Sequence, residues 1–344
     1  MRLLDEKNFS EEIRDYVESC FDAWGRESYY TREIGKKIFY LSLHKKEAKG
    51  IILISHGFCE SAEKYKELAW YFYQAGFTVY IPEHCGHGRS YRLTKDPSKV
   101  HIDNFWRYVK DLSFVAARAS EENPGLPMFI FGHSMGGAIA AVTLAENPGR
   151  FQKGILNAPM ILHRTGYIPP VLAYLASFLM CSMGRGEEYA LGQHGFRDEE
   201  TFEKSSCLSR ARFDYYYEKR RRVSEFQNNG ASYQWGLEAY RMSREILARS
   251  WKKIDIPVAL FQAQMDTLVY PRPQERFIRR LPQGKLIRVP GAKHEIYRCG
   301  NNILRPYLNK VLEFYSREQR AKRACSHVHL ATAARVFDSM ELLH

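Results

Sequence analysis

The chain has 344 residues, 45% of them apolar and 26% charged, enough for one large domain or two small ones with a full core and too mixed for a disordered or fibrous protein. Its 51 basic and 39 acidic residues leave a formal charge of +12, which favours anionic surfaces such as lipid head groups. The basic residues are scattered, however, and the one dense run, "EKRRR" at 218–222, reads as a solvated face, so no nucleic-acid partner is expected.

In chain order, "MRLLDEKNFSEEIRDY" is charged and helical, with no apolar stretch of signal-peptide length. The seven cysteines show no C-x-x-C spacing. Together these features predict a reduced, cytosolic compartment with free thiols. Residues 29–45 read as a strand pair turning at "EIGKK". "GIILISHG" (50–57) has the continuous β-branched character of a buried central strand. A helix is expected from about Lys64 to Gln74, a strand at 77–83, an amphipathic helix at 105–120 and a buried strand at 127–132. The Ala-rich helix after residue 137 and the strand "KGILNAP" (153–159) follow. The alternation returns with a strand at 257–264, a helix over "PQERFIRRL" and a strand at 285–291, and ends with a helix through "LRPYLNKVLEFYS". Strands alternating with helices specify a mostly parallel sheet covered on both faces.

Residues 160–248 break the rhythm, being helical and rich in Tyr and Arg. The chain therefore divides into a first core part (1–159), a helical cap insertion (160–248), a second core part (249–318) and a tail (319–344). A cap over the carboxyl ends of the strands would cover the chemistry of an open α/β sheet. Within it, "IPPVLAYLASFLMCSM" (168–183) is apolar almost all round, as for a helix packed on both sides or walling an acyl chain. From Val171 to Met183 it falls short of the ~20 residues that span a bilayer.

"FIFGHSMGGAIAA" (129–141) carries the chemistry. A buried strand runs into Gly132-His133-Ser134-Met135-Gly136 and out into a helix, the context of a G-x-S-x-G nucleophile elbow. A phosphate loop would need a lysine after the glycines, and none follows. A serine hydroxyl needs a base oriented by a carboxylate, in the chain order Ser, Asp or Glu, His. Asp266 lies just past the end of one buried strand and His294 just past the next, so all three reach one sheet edge. Asp255 precedes its strand and belongs at the opposite edge, and Glu295 is expected to point away. His56 and His133 flank the site and shape its loops. The backbone N–H groups of Met135, after the serine, and Phe58, in the "HGFCES" loop, are the natural oxyanion donors. Cys59, beside that loop, reads as a packed residue.

"SHGFCESAEKY", "IPEHCGHGRS", "GHSMGGAIA", "QAQMDTLV" and "GAKHEIY" resemble the monoacylglycerol lipase and bacterial lysophospholipase branch of the α/β-hydrolases, a serine aminopeptidase-type domain. The resemblance covers roughly residues 25–318. "HIDNFWRYVKDL", "SRARFDYYYEKRRR" and "ASYQWGLEAYRMSREIL" bring it nearer the lysophospholipases. It implies an α/β-hydrolase fold, Ser134 as nucleophile with Asp266 and His294, and Phe58 and Met135 as oxyanion donors. The implied activity is hydrolysis of a lysophospholipid or monoacylglycerol ester, with no metal or organic cofactor. Glu83 and Cys85 stand where the branch usually has aspartate and arginine. Two alternatives are an aminopeptidase of the prolyl kind, using acids at 186–188 and 197–200, and a non-catalytic membrane-associated protein. Positive charge and the apolar cap helix add an expectation of weak peripheral contact with anionic membranes.

Overall fold

The computed structural model describes residues 1–316, so the expected tail lies outside the described residues. A short helix α1 (Phe9–Glu12) continues through a π-helical turn (Ile13–Glu18) into α2 (Ser19–Trp24), before the hairpin β1 (Gly25–Glu33) and β2 (Lys36–Leu43). There follow β3 (Ile51–Ser55), α3 (Lys66–Gln74), β4 (Thr78–Pro82), β5 (Lys99–Val100), α4 (Trp106–Glu122), β6 (Met128–His133), α5 (Met135–Glu146) and β7 (Lys153–Asn157). Next come α6 (Pro170–Ser182), α7 (Arg210–Arg222), β8 (Gly230–Ala231), α8 (Tyr233–Ala248), β9 (Val258–Ala263), α9 (Pro271–Ile278), β10 (Gly284–Val289) and a helix α10 at 301–316.

Eight strands form one sheet in the order β1-β2-β4-β3-β6-β7-β9-β10. Only the pairs β1–β2 and β2–β4 are antiparallel; every later neighbour is parallel. The buried runs seen in the sequence occupy the middle. β3, β4, β6, β7 and β9 are buried along their whole length, because both faces are covered. Along β6, Met128 and Ile130 join the apolar cluster beneath α4, α5, α8 and α9. Phe129 and Phe131 join the opposite one beneath the N-terminal helices, α3 and α10. A period of two thus supplies two cores from one strand.

The connection between β7 and β9 adds no strand to this sheet. It carries α6, α7 and α8, and its β8 pairs only with β5. It lies against the loops that leave β3 and β4. Asn228 donates to the Gly86 carbonyl at 2.8 Å, the Cys59 thiol donates to the Asn229 carbonyl, and Phe58 packs on Trp235 with ring centres 4.4 Å apart. α7 is bound firmly below: Arg212, almost wholly buried, donates to both oxygens of Glu67 on α3. The basic run on α7 is not a free patch. Lys219 pairs with Glu18 and Glu63, Arg220 with Glu200, Arg221 with Asp198 and Arg222 with Glu218. The six cysteines among the described residues are all free.

α6 departs from one expectation held for it. It does not pack on two sides: Ser177 is its one buried residue, and Val171, Leu172, Leu175, Phe178 and Leu179 are each about half exposed or more. The helix lies chiefly on α8, through a stripe of smaller or partly buried residues. Tyr174 stacks on Tyr240, and Ser177 sits over Gly236, where a Cβ would come within 3.1 Å of its hydroxyl. A helix that is apolar all round has no periodic signal to reveal which stripe is covered. Among the described residues, no helix is long and apolar enough to cross a membrane.

Glu18 joins three elements, accepting from Lys66 on α3 at 2.8 Å and from Lys219 and Tyr215 on α7. Burial opposes its charge, but the two ammonium groups and the phenol outweigh this and hold its pKa down to about 2. A depressed carboxylate stabilises the fold above its ordinary pKa, near 4.5, and that contribution is lost as pH falls toward the folded value. The stability advantage of the native chain over Glu18→Gln is expected to be constant above about pH 5 and to vanish by about pH 2. Urea unfolding across that range measures it, and a pH-independent difference would refute it.

Candidate active site

The five expected site residues sit where parallel strands end. Phe58 follows β3, Ser134 and Met135 follow β6, Asp266 follows β9 and His294 follows β10. The turn at Ser134 is tight because α5 leaves the sheet almost against β3. A Cβ at Gly136 would lie 2.1 Å from the Ser55 carbonyl oxygen and 2.3 Å from that of His56. One at Gly132 would lie 2.6 Å from the Gly136 carbonyl oxygen, and one at Gly137 would lie 2.8 Å from Pro159. With the helix so close, Ser134 takes φ 52°, ψ −120°, a left-handed conformation that a non-glycine residue holds only when its surroundings enforce it. Its carbonyl caps the new helix by accepting from Gly137 and Ala138, and also from Met160 at 2.8 Å. Ser134 stays partly exposed between buried neighbours.

Asp266 and His294 meet as the chain order requires. His294 Nδ1 donates to Asp266 Oδ2 at 2.7 Å, while Oδ1 accepts from the backbone N–H groups of Leu268 and Val269. Burial raises the Asp266 pKa, but the bond from His294 and the two amides outweigh it and leave the carboxyl below its ordinary value. The carboxylate therefore fixes the tautomer with the proton on Nδ1. The other nitrogen, His294 Nε2, is buried and carries no hydrogen bond. It lies beside the elbow, since the ring of His133, one residue before Ser134, is 4.8 Å from that of His294. A histidine so oriented, with a bare acceptor nitrogen on the side of the elbow, can serve as base to a hydroxyl brought to it.

The loop after β3, which carries Phe58, is held at the same place. Gly57 N–H donates to Glu60 Oε2 at 2.6 Å, and a Cβ at Gly57 would meet the His133 ring at 3.2 Å. Cys59 adopts φ 58°. Met135 is the first residue of α5, where a helix provides no acceptor for the backbone N–H. The flanking histidines do as expected. His56 Nδ1 donates to the Gly57 carbonyl and its Nε2 accepts from the His84 N–H, and burial lowers the pKa of His56, His84 and His87. His133 is likewise pushed down to about 4, mainly by burial. Burial also drives the Cys59 thiol well above the ordinary value, so it is no nucleophile at neutral pH. Glu83, the variant acid, is buried in a structural role, accepting from the backbone of Ala62 and Arg89 and pairing with the Arg89 side chain. Asp255 precedes β9 and is away from this edge.

Sequence reasoning missed the charges beneath the site. Glu295 does turn from Ser134, but into a buried cluster with Lys64, Glu60 and Arg298. The i,i+4 spacing of Glu60 and Lys64 was the only signal available, and it reads equally well as a surface pair.

A family model described as serine aminopeptidase, S33, matches residues 46–298. The chain belongs to this S33 family of hydrolases. It is 28% identical over 284 residues to lysophospholipase L2 of Escherichia coli, covering 78% of this chain and 80% of that one. It is 25% identical over 287 residues to a probable lysophospholipase L2 of Haemophilus influenzae, covering 81% and 88%. A soluble variant of monoglyceride lipase from Saccharomyces cerevisiae, solved with a substrate analogue, matches with a TM-score of 0.68 at 20% identity over 85% of this chain and 94% of that one. A carboxyl esterase from Bacillus coagulans matches at 0.69 and 18% identity over 85% and 98%. The fold of this S33 hydrolase is the α/β-hydrolase fold.

The elbow yields a direct test. In Gly136→Ala the added methyl group would collide with two backbone carbonyls that cannot rotate away, and such overpacking costs about 2–3 kcal/mol. Urea denaturation is expected to show that loss, whereas a variant within 0.5 kcal/mol of the native chain, on the same roughly 1 kcal/mol scale of ordinary substitutions, would mean that α5 can retreat from β3.

Proposed function

We propose that this hydrolase cleaves the acyl ester of a single-chain lipid, a lysophospholipid or monoacylglycerol, through an acyl-enzyme on Ser134. The observation that carries the reading is the His294–Asp266 bond with His294 Nε2 left bare, its ring 4.8 Å from that of His133, the residue before the strained serine. Ser134 Oγ attacks the ester carbonyl carbon as His294 Nε2 takes its proton, and Asp266 steadies the resulting imidazolium. The N–H groups of Phe58 and Met135 receive the oxyanion. As the intermediate collapses, His294 protonates the departing glycerol or glycerophospho oxygen. Water, deprotonated by the same imidazole, then releases the fatty acid. None of these steps needs a metal or organic cofactor.

The named activities of the relatives favour a lipid ester. Of the five acids the aminopeptidase alternative would use, three, Glu188, Asp198 and Glu200, are already paired with Arg185, Arg221 and Arg220, which weakens that alternative. In this reading residues 160–248 cap the site in a reducing cytosolic compartment, and α6 touches the lipid surface from which substrate is drawn. Its exposed side chains continue into Tyr167 and Ile168, and on to Met265 and Leu268 of the loop that carries Asp266. That loop is tied to the 162–164 segment by backbone hydrogen bonds. Half-exposed leucines on a surface helix gain by burial in acyl chains. The contact is thus chiefly apolar, with the net charge of the chain adding attraction to anionic head groups.

Ser134→Ala is expected to lower hydrolysis of a monoacylglycerol and a lysophospholipid by about 10⁴-fold or more, with the fold intact by circular dichroism. Activity within tenfold of the native chain would end the mechanism, and preferential turnover of an aminoacyl amide would end the substrate assignment. The double change Leu175→Ser, Leu179→Ser is expected to weaken binding to phospholipid vesicles on the order of tenfold. Co-sedimentation measures it, and unchanged binding would remove α6 from the contact.

A further inference from the structure

Below the site, four charged side chains pack together, Glu60 and Arg298 buried and Lys64 and Glu295 largely so. Lys64 Nζ donates to Glu60 Oε1 at 2.7 Å and to Glu295 Oε1 at 2.8 Å. Arg298 donates to Glu295 Oε2 at 2.6 Å. The two positive and two negative charges balance, which is what allows them to stay ionised away from water. Burial opposes the charge on Lys64, but Glu295 and Glu60 outweigh it and raise its pKa, while the cations lower those of both carboxylates. The remaining lone pairs are filled as well. Glu60 Oε1 accepts from Tyr297 at 3.1 Å, and Oε2 from Tyr65 at 2.5 Å and from Gly57 N–H at 2.6 Å. The Lys64 ammonium also faces the Tyr216 ring at 5.4 Å.

The placement of this cluster is specific. Glu60 holds the N–H of Gly57, the residue before the proposed oxyanion donor Phe58. Glu295 is the residue after the proposed base His294. Lys64, in the 3₁₀ turn (Ala62–Tyr65) that leads into α3, is bonded to both. The loop after β3 and the loop after β10 come from strands that are not neighbours in the sheet, as β6, β7 and β9 lie between them. No ladder bond can set the distance between them. Near them stands His133, its Nε2 4.0 Å from Glu60 Oε1 and its ring against His294.

We propose that Lys64 is a positioning residue for hydrolysis: by holding Glu60 and Glu295 in one ammonium it fixes the distance between the oxyanion donor at Phe58 and the general base His294. The proposal rests on the roles given above to Phe58 and His294. Lys64 touches no reacting atom. It acts on the transition state, where donor and base must serve the same tetrahedral carbon at once, and much less on the binding of an acyl chain. A displacement of about 1 Å between such groups can cost about 10²-fold in rate.

The test compares Lys64→Met with the double variant Lys64→Met, Glu295→Gln on a soluble short-chain ester, with fluorophosphonate labelling of Ser134 measured in parallel. The single variant leaves a buried negative charge uncompensated and is expected to be less stable. The double variant retains one Glu and one Arg, so its charge balance and thermal midpoint are expected to return toward those of the native chain. In the double variant kcat is expected to remain about 10²-fold low, KM to change less than threefold, and Ser134 labelling to slow with kcat. A kcat within threefold of native in the refolded double variant would overturn the proposal, leaving Lys64 a counter-charge only. A loss confined to KM would overturn it too. Should the double variant not fold, Lys64→Gln, which can bridge the same two carboxylates with one amide less firmly, is measured instead, with a kcat within threefold of native again overturning the proposal. Ser134→Ala run beside them separates the two questions: if that variant stays active, the reading of the site has failed, whatever Lys64 does.

Discussion

The approach of α5 to β3 is the constraint on which this end of the molecule depends. A helix that begins one residue after a buried strand and then crosses against the backbone of the next strand has room only for hydrogen at Gly132 and Gly136. The left-handed backbone at Ser134 follows from that crossing. The serine is raised above buried neighbours, and the first N–H of α5 is left without a helical acceptor, beside it. One steric requirement thus supplies the partly exposed serine and one of its proposed oxyanion donors. The strain at Ser134 is sustained because Gly137, Ala138 and Met160 all donate to its carbonyl.

Asp266 and His294 contribute through the complementary device, hydrogen bonding rather than steric fit. Neither loop is rigid by secondary structure. Two backbone amides hold Asp266, and Asp266 in turn holds the imidazole, so orientation passes from main chain to carboxylate to base. Because every member of that chain is already bonded except His294 Nε2, the one unfilled position coincides with the atom that must receive a proton in the proposed reaction.

Much of this was legible in the sequence, for identifiable reasons. The buried strands announce themselves as unbroken apolar runs, since both sheet faces are covered. Parallel order then places the residues after β6, β9 and β10 at one edge. Spacing alone therefore suffices to nominate Ser134, Asp266 and His294 together. What was hidden had no periodic or compositional mark. Lys64 and Glu60 look like any solvated helical pair until Glu295, more than two hundred residues later, closes on the same ammonium. The exposure of α6 was equally hidden. A segment apolar on every side reads as buried, and only the presence of α8 on one side and of nothing comparable on the other decides the matter.

These two hidden features form an inversion of the ordinary partition of residues. Around the site the charges are inside, as in Glu60–Lys64–Glu295–Arg298 and Arg212–Glu67, while leucine and phenylalanine side chains stand outside on α6. Folding stability alone argues for the reverse. Buried ion clusters are commonly no more stabilising than apolar residues of the same volume, and an exposed apolar patch favours association over solubility. Elsewhere the chain mostly obeys the usual rule, with the apolar run Ile51–Ile54 of β3 in the centre and the charges of α4 other than Asp111 on its outer side. The exceptions nearest the site lie at the carboxyl edge of the sheet. Inside, charge supplies directional bonds between loops that share no ladder; outside, apolar surface supplies affinity without direction. On the proposed reading the first serves the ester and the second the lipid surface.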